Sequence, residues 1–144
     1  MPYHVMSDEE VRAFLDSTPP HTGKLATVRP DGRPHVVPVW YVRDGEDLVW
    51  TTGAESVKAR NLRHQPWAAL CVDDERPPFS FVTAQGPVTI EEDLDALLHW
   101  ATVLGTRYMG AEQGEEFGRR NAVPGELVVR LRPASITSAA DMAD

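Results

Sequence analysis

A chain of 144 residues, 42% of them hydrophobic and 25% charged, is long enough for one domain with its own core and too short for two. The 22 acidic residues outnumber the 14 basic ones, and a formal charge of −8 argues against nucleic-acid binding through phosphates. No apolar run approaches the ~20 residues of a membrane span, and the N-terminus has no signal-peptide pattern, so we expect a cytoplasmic protein away from the membrane.

The N-terminal third predicts one helix and a hairpin. A helix is expected over residues 7–16, because Ser7 and Glu10 form a capping box ahead of apolar residues at helical spacing. Residues 23–29 and 34–43 then predict two strands joined by a Pro-Asp-Gly turn. Pro38 removes a donor from the second strand, which predicts an edge strand or a bulge.

The stretch from residue 48 to 72 reads as strand, turn, short helix and strand. Thr51 and Thr52 end the first strand, Ser56 is placed to cap the helix, and Lys58 lies in the helix's first turn. Hydroxyls, free amides at a helix N-terminus and an ammonium together favour a bound phosphate. Ordinary turn and capping chemistry explains the same residues without a ligand, so the pattern alone leaves both interpretations open.

The rest of the chain predicts a barrel closed beside a long helix. Strands are expected over residues 79–91, with a bulge at Gly86–Pro87, and over 126–131, with a further pairing at 133–138. The intervening residues 93–109 carry an apolar helical face from Leu94 to Tyr108, followed by a connector at 110–114 and a weaker helical piece. Six strands at short spacing therefore predict one barrel domain over residues 1–144, with strands within about 23–92 and 126–138.

Few side chains point to catalysis by the protein alone. The single cysteine, Cys71, excludes an intramolecular disulfide and lies in an apolar run, where we expect a small buried side chain. The five histidines lack the spacing of a metal site, and no nucleophile motif is present. No catalytic residue is expected, and an enzyme built from this chain would rely on a cofactor.

Four motifs follow one another along the chain: GKLATVRPDGRPH at residues 23–35, PVW at 38–40, SVKARNL at 56–62 and QP at 65–66. In this order they resemble the pyridoxamine-phosphate-oxidase-like superfamily of flavin-binding split barrels, and more narrowly its actinobacterial branch that uses the deazaflavin coenzyme F420. The resemblance covers roughly residues 11–131. It implies a mainly β, six-stranded split barrel with flanking helices, and a homodimer with two cofactor sites at the subunit interface.

The resemblance also assigns cofactor-binding positions. The residues at those positions are Val37, Pro38, Val39, Trp40, Thr51, Thr52, Ser56, Lys58, Arg60, Asn61 and Phe79. The first four would lie along the tricyclic ring, and the next four would hold the ribityl-linked phosphate. Arg60 would meet the tail carboxylates of coenzyme F420, and Phe79 would close the ring site from the partner subunit. Packing remains an alternative role for Trp40, and it is the favoured role for Trp50.

The function implied is a reductase in which reduced coenzyme F420 passes a hydride to an unsaturated small molecule, such as a biliverdin-like tetrapyrrole or an enone. Vitamin B6 oxidation is not expected, because the sequence lacks the basic C-terminal extension of the oxidase members. Two alternatives stay open. One is an FMN-binding oxidoreductase of the same fold, and the other is a non-catalytic protein that binds a flavin, coenzyme F420 or haem.

Overall fold

A computed structural model describes residues 4–144 of the chain. The elements, in chain order, are α1 (Asp8–Leu15), β1 (Gly23–Val28), β2 (Pro34–Val39), β3 (Val42–Asp44), β4 (Asp47–Gly53), α2 (Val57–His64), β5 (Trp67–Asp74), β6 (Ser80–Glu91), α3 (Leu94–Met109), α4 (Ala111–Asn121), β7 (Glu126–Leu131) and β8 (Ser135–Ala139). The predicted class, mainly β with flanking helices, is confirmed.

The strands form one antiparallel sheet in the order β2-β1-β5-β6-β7-β4-β3, with β8 also paired to β6. Strand β6 belongs to both halves of this curled sheet: its first part pairs with β5 and β8, and its last four residues pair with β7. The half-barrel is therefore built around one long strand. The sheet ends at β2 on one side, which agrees with the edge position that Pro38 predicts.

The predicted strand over residues 34–43 is two strands in the structure, because Trp40 and Tyr41 leave the ladder between β2 and β3. Helix α3 draws this segment away from the sheet. The amide of Tyr41 donates to the hydroxyl of Tyr108 at 3.2 Å, and the indole of Trp40 stacks on the Tyr108 ring at 4.9 Å. The further pairing predicted at residues 133–138 is confirmed as β8, and with the divided strand the sheet has eight strands in place of six.

The barrel interior is filled by inward-facing side chains of every second strand residue. Trp50 is fully buried there, as its favoured packing role predicts, among aliphatic neighbours such as Leu25, Leu70 and Leu131. Helix α1 covers one opening of the barrel with Val11 and Leu15. The capping box predicted at Ser7 is present and fixes where this helix begins.

The prediction of a bulge at Gly86–Pro87 is wrong. The pairing of β5 with β6 continues through these residues, with Ala68 opposite Gly86 and Trp67 opposite Pro87. Position 86 requires glycine for a different, steric reason. A Cβ at Gly86 would overlap the carbonyl of Arg132, because the chain between β7 and β8 crosses here and hydrogen-bonds to Gln85 and Pro87.

The connector predicted at residues 110–114 is also different in the structure. Only Gly110 is outside the helices, with φ of 96°, and α4 begins at Ala111. Gly114 is needed where α4 lies against α3, because a Cβ there would come within 2.6 Å of the Thr106 nitrogen. Gly114 therefore permits close helix packing, and residues 111–114 are helical and not a connector. On α3, Leu94 and Leu98 of the predicted apolar face are exposed, whereas Leu97 and Ala101 are buried.

Strands β2, β1, β5 and β6 carry a second apolar surface, directed away from the barrel interior. Alternation puts one set of residues on it, which we call the outer sheet face: Ala26, Val28, Val36, Trp67, Ala69, Cys71, Phe81 and Thr83, with the ion pair of Lys24 and Asp73 among them. Cys71 is half-buried on this face, so its predicted position in the core is wrong. Its neighbours Leu70 and Val72 take the inward positions instead. In residues 4–144 no helix combines the length and apolar character required to cross a membrane.

Candidate functional site

A cleft of about 320 Å³ lies beside the barrel, between strands β2, β4 and β7 and helices α2, α3 and α4. Its lining residues are Pro38, Val39, Trp40, Thr51, Thr52, Gly53, Lys58, Leu104, Phe117, Asn121 and Glu126. One end is apolar and the other is polar. The cleft brings together six of the residues that the sequence assigns to cofactor binding, from three separate segments of the chain.

The polar end, which we call the anion corner, is formed where β4 turns into α2. Ser56 caps α2 by accepting from the amide of Ala59 at 3.1 Å, which leaves the amides of Val57 and Lys58 as the remaining donors of the first turn. The hydroxyl of Thr52, which lines the cleft, lies 3.0 Å from that of Ser56. The structure therefore brings the Thr52 hydroxyl and Lys58 to the same end of the cleft, beside the start of α2.

Lys58 shares this corner with a carboxylate that the sequence did not identify. Glu126 begins β7 opposite Gly53, at the end of the β4–β7 ladder. Burial lowers the pKa of Lys58, and the negative charge of Glu126 opposes this effect. Burial likewise raises the pKa of Glu126, and the charge of Lys58 opposes it. The two groups therefore interact electrostatically within a partly desolvated site.

The apolar end is formed by an aromatic cluster that joins β2 to the helical pair. The Trp40 and Tyr108 rings are stacked with an interplanar angle of 6°, and Phe117 packs on Trp40 at a centroid distance of 5.3 Å. The hydroxyl of Tyr108 also donates to the carbonyl of His21 at 2.7 Å. Trp40 is therefore held by packing and lines the cleft at the same time, so both roles considered for it are compatible.

Five residues assigned by the sequence lie outside the cleft lining: Val37, Ser56, Arg60, Asn61 and Phe79. Val37 packs against the barrel core, and Ser56 acts as the helix cap.

Of the other three, Asn61 and Arg60 form hydrogen bonds elsewhere, and Phe79 lines a different pocket. Asn61 is only 2% exposed and donates to the hydroxyl of Thr27 at 3.0 Å, which links α2 to β1. Arg60 donates to the carbonyl of Glu55 at 2.8 Å. Phe79 lies before β6 with φ of 67° and lines a different pocket, beside Cys71 and Phe81 on the outer sheet face.

Sequence reasoning missed the residues that reach the cleft from the C-terminal part of the chain. Leu104 and Phe117 come from α3 and α4, and Asn121 and Glu126 flank the connection into β7. The amphipathic period of α3 indicated that Leu104 is buried, but not against which surface. For Glu126, the one available signal is a charged residue at the start of a mainly apolar strand.

Comparison with known proteins identifies the family. The sequence profile of a family described as pyridoxamine 5'-phosphate oxidase matches residues 7–138. The chain belongs to this family. It is thereby a member of the pyridoxamine-phosphate-oxidase-like superfamily of flavin-binding split-barrel oxidoreductases, as the sequence motifs indicate. A comparison with curated proteins found no match.

Solved structures with the split-barrel fold are similar to the protein over nearly its whole length. A conserved hypothetical protein of Mycobacterium tuberculosis is 27% identical with a TM-score of 0.83, covering 99% of this chain and 92% of its own. A protein described as an F420 reductase is 28% identical with a TM-score of 0.69, covering 87% of this chain and 94% of its own. An FAD- and haem-binding protein of Mycobacterium smegmatis, at 22% identity and a TM-score of 0.72, covers 92% of this chain and 70% of its own, and shares the fold.

The cleft fits a flavin-type cofactor of this superfamily. Lys58 and the first-turn amides of α2 suit a phosphate group, and the hydroxyl of Thr52 adds a further hydrogen-bonding group beside them. Val39 and Trp40 give the other end of the cleft the apolar lining that a flat ring system requires. The residues present are thus able to hold both ends of such a molecule.

Proposed function

We propose that the protein is a coenzyme F420-dependent reductase acting on an unsaturated small molecule, such as a biliverdin-like tetrapyrrole or an enone. The observation that carries the proposal is the cleft itself, in which an apolar wall and an anion corner are joined in one space of about 320 Å³. The similarity to a protein described as an F420 reductase, over 87% of this chain, supports the choice of cofactor.

Binding and orientation are the tasks of the side chains in this proposal. Lys58 neutralises the cofactor phosphate, while Pro38 and Trp40 orient the ring along β2. The chemistry that reduced coenzyme F420 supplies when bound is transfer of a hydride from C5 of its ring to the acceptor. The wall formed by Leu104 and Phe117 excludes water from the apolar end.

We also propose that the protein works as a homodimer with its cofactor sites at the subunit interface. The outer sheet face supports this assembly, because Val36 is 66% exposed and Val28 and Trp67 are more than a third exposed on the same surface. Contiguous exposed apolar surface of this kind is typical of an interface between subunits. Phe79 lies at the edge of this face, where it would reach a site on the partner subunit.

An FMN-dependent oxidoreductase is the second candidate, and it is favoured by the match to the oxidase family profile. The two cofactors share a flat tricyclic ring and a ribityl-linked phosphate, so both suit the general form of the cleft. Equilibrium titration of the purified protein with FMN, oxidised coenzyme F420 and haem distinguishes them. Turnover is then measured with the cofactor that binds most tightly.

Tight binding of coenzyme F420 with reduction of an enone or tetrapyrrole would support the first proposal. Tighter binding of FMN, or FMN that co-purifies from the expression host, would replace it with the second. Haem binding without turnover would contradict both and indicate a non-catalytic binding protein.

A further inference from the structure

The anion corner contains a negative charge where a phosphate would bind. Among the described residues that line the cleft, Lys58 is the one cation and Glu126 the one anion. Glu126 is fixed at the start of β7 by its ladder position opposite Gly53, and Lys58 is fixed by the first turn of α2. Their side-chain charges sum to zero, so the first-turn amides are the remaining attraction for an anion.

The other cations of α2 are turned toward the loop before the helix. Arg60 donates to the carbonyl of Glu55, and Arg63 donates to the carbonyl of Ala54 at 2.8 Å. Neither arginine lines the cleft. The Glu126 carboxylate is partly shielded from water, and this burial raises its pKa. A charge shielded in this way acts on a neighbouring ligand more strongly than one fully in solvent.

Such a corner discriminates between ligands by their charge. A phosphomonoester carries about −1.5 to −2 charges at neutral pH, because its second pKa is about 6. A phosphodiester carries a single negative charge and has no second proton to lose. Repulsion from one carboxylate grows in proportion to the ligand's charge, so it penalises the monoester about twice as much as the diester.

We propose that Glu126 is a specificity-determining residue that favours a phosphodiester over a phosphomonoester in the anion corner. This inference rests on the proposed function, since it takes the phosphate of a flavin-type cofactor as the ligand. FMN is a monoester, whereas the phosphate of coenzyme F420 links the ribityl chain to its tail and is a diester. Glu126 thereby selects the deazaflavin cofactor against FMN by charge.

The test uses two probes that differ by one methyl group on the phosphate and hence by one negative charge: FMN and the methyl ester of its phosphate. Their affinities are measured by fluorescence titration at about pH 8, where the FMN phosphate is a dianion. The Glu126→Gln variant is expected to bind FMN roughly tenfold more tightly and the methyl ester roughly threefold more tightly, since the gain scales with ligand charge. Circular dichroism verifies that each variant is folded.

Two variants serve as controls. Glu126→Asp keeps the charge and should retain the parent's preference between the two probes. Glu91→Gln removes one charge from an exposed position on β6 outside the cleft and should leave both affinities unchanged. Equal changes for the two probes in Glu126→Gln, or the same change in Glu91→Gln, would overturn the inference.

Lys58→Ala distinguishes a failure of this inference from a failure of the proposed function. If Lys58→Ala weakens probe binding but Glu126→Gln leaves the ratio of the two affinities unchanged, only the selectivity inference is overturned. If the parent binds neither probe nor coenzyme F420, the proposed function is overturned, and the inference with it.

Discussion

Lys58 and Glu126 enter one cleft from two elements, the lysine from the first turn of α2 and the glutamate from the first residue of β7. Burial lowers the pKa of the first and raises the pKa of the second, and each residue's charge opposes the shift of the other. Burial thus disfavours both charged forms, and a bound anion would oppose the lowering of the Lys58 pKa.

Replacing Lys58 by alanine should weaken binding of the flavin-type cofactor by about 10- to 150-fold. The change removes a charge-assisted contact to the phosphate, worth roughly 1.5–3 kcal/mol. The reaction of the acceptor with already bound cofactor should change little, because the lysine stands at the end of the cleft away from the ring. Titration gives the affinity, and single-turnover kinetics give the rate.

Lys24→Ala is the matched control for that experiment. Lys24 lies on β1, where its ammonium pairs with Asp73 at 2.8 Å outside the cleft. Its removal should leave cofactor affinity unchanged. If Lys58→Ala folds normally and binds coenzyme F420 and FMN as tightly as the parent, Lys58 has no role in holding phosphate.

The Tyr108→Phe substitution should lower the free energy of unfolding by about 1–3 kcal/mol. The Tyr108 hydroxyl donates to the carbonyl of His21 and accepts from the amide of Tyr41, so its loss leaves a backbone donor without a partner. Tyr41→Phe should cost less, about 0.5–1.5 kcal/mol, because the carbonyl of Leu15 keeps its hydrogen bond from Arg107. Urea unfolding measures both, and the reverse order would contradict this account.

The carboxyl of Glu10 should titrate far below the ordinary range. A hydrogen bond from His4, together with the cap contacts of Ser7, lowers the pKa of Glu10 from 4.5 to about 2. A folded pKa below the unfolded one stabilises the fold above about pH 4.5, and this stabilisation is lost as the pH falls toward about 2. Carboxyl NMR should give this pKa. His4→Ala should raise it toward 4.5, and an unchanged value would show that His4 does not contribute.

Dimer formation should depend on the outer sheet face. Val36→Glu puts a charge among the exposed apolar residues of that surface, and burying it against a second subunit is unfavourable, so the variant should sediment as a monomer. Leu98→Glu, at an exposed apolar position of α3, should leave the assembly unchanged. A parent protein that sediments as a monomer and still binds cofactor at micromolar concentration would contradict the proposed homodimer.

The sequence was most informative where one local pattern determines one local structure. The capping box at Ser7, the cap at Ser56 and the edge strand at Pro38 depend on neighbouring residues, and the structure contains all three. Thr52 and Lys58 line one cleft for the same reason, since they lie within one turn-and-helix unit, and their binding of a phosphate stays a prediction.

What the sequence did not reveal depends on contacts between distant segments. Glu126 reaches the corner through the pairing of β7 with β4, which joins residues more than 70 positions apart. The break between β2 and β3 is set by Tyr108 on α3, again far along the chain. Asn61 was predicted to lie beside the cofactor. Its buried hydrogen bond to Thr27 depends on the packing of α2 against β1, which the local sequence does not indicate.

The hairpin of α3 and α4 is inserted between β6 and β7 and supplies Leu104 and Phe117 to the cleft, whereas the phosphate end is built from β4, α2 and β7. The wall at the apolar end and the anion corner are thus encoded in separate stretches of the chain. Changes in this one helical insertion can therefore reshape the apolar end of the cleft while the anion corner stays as it is.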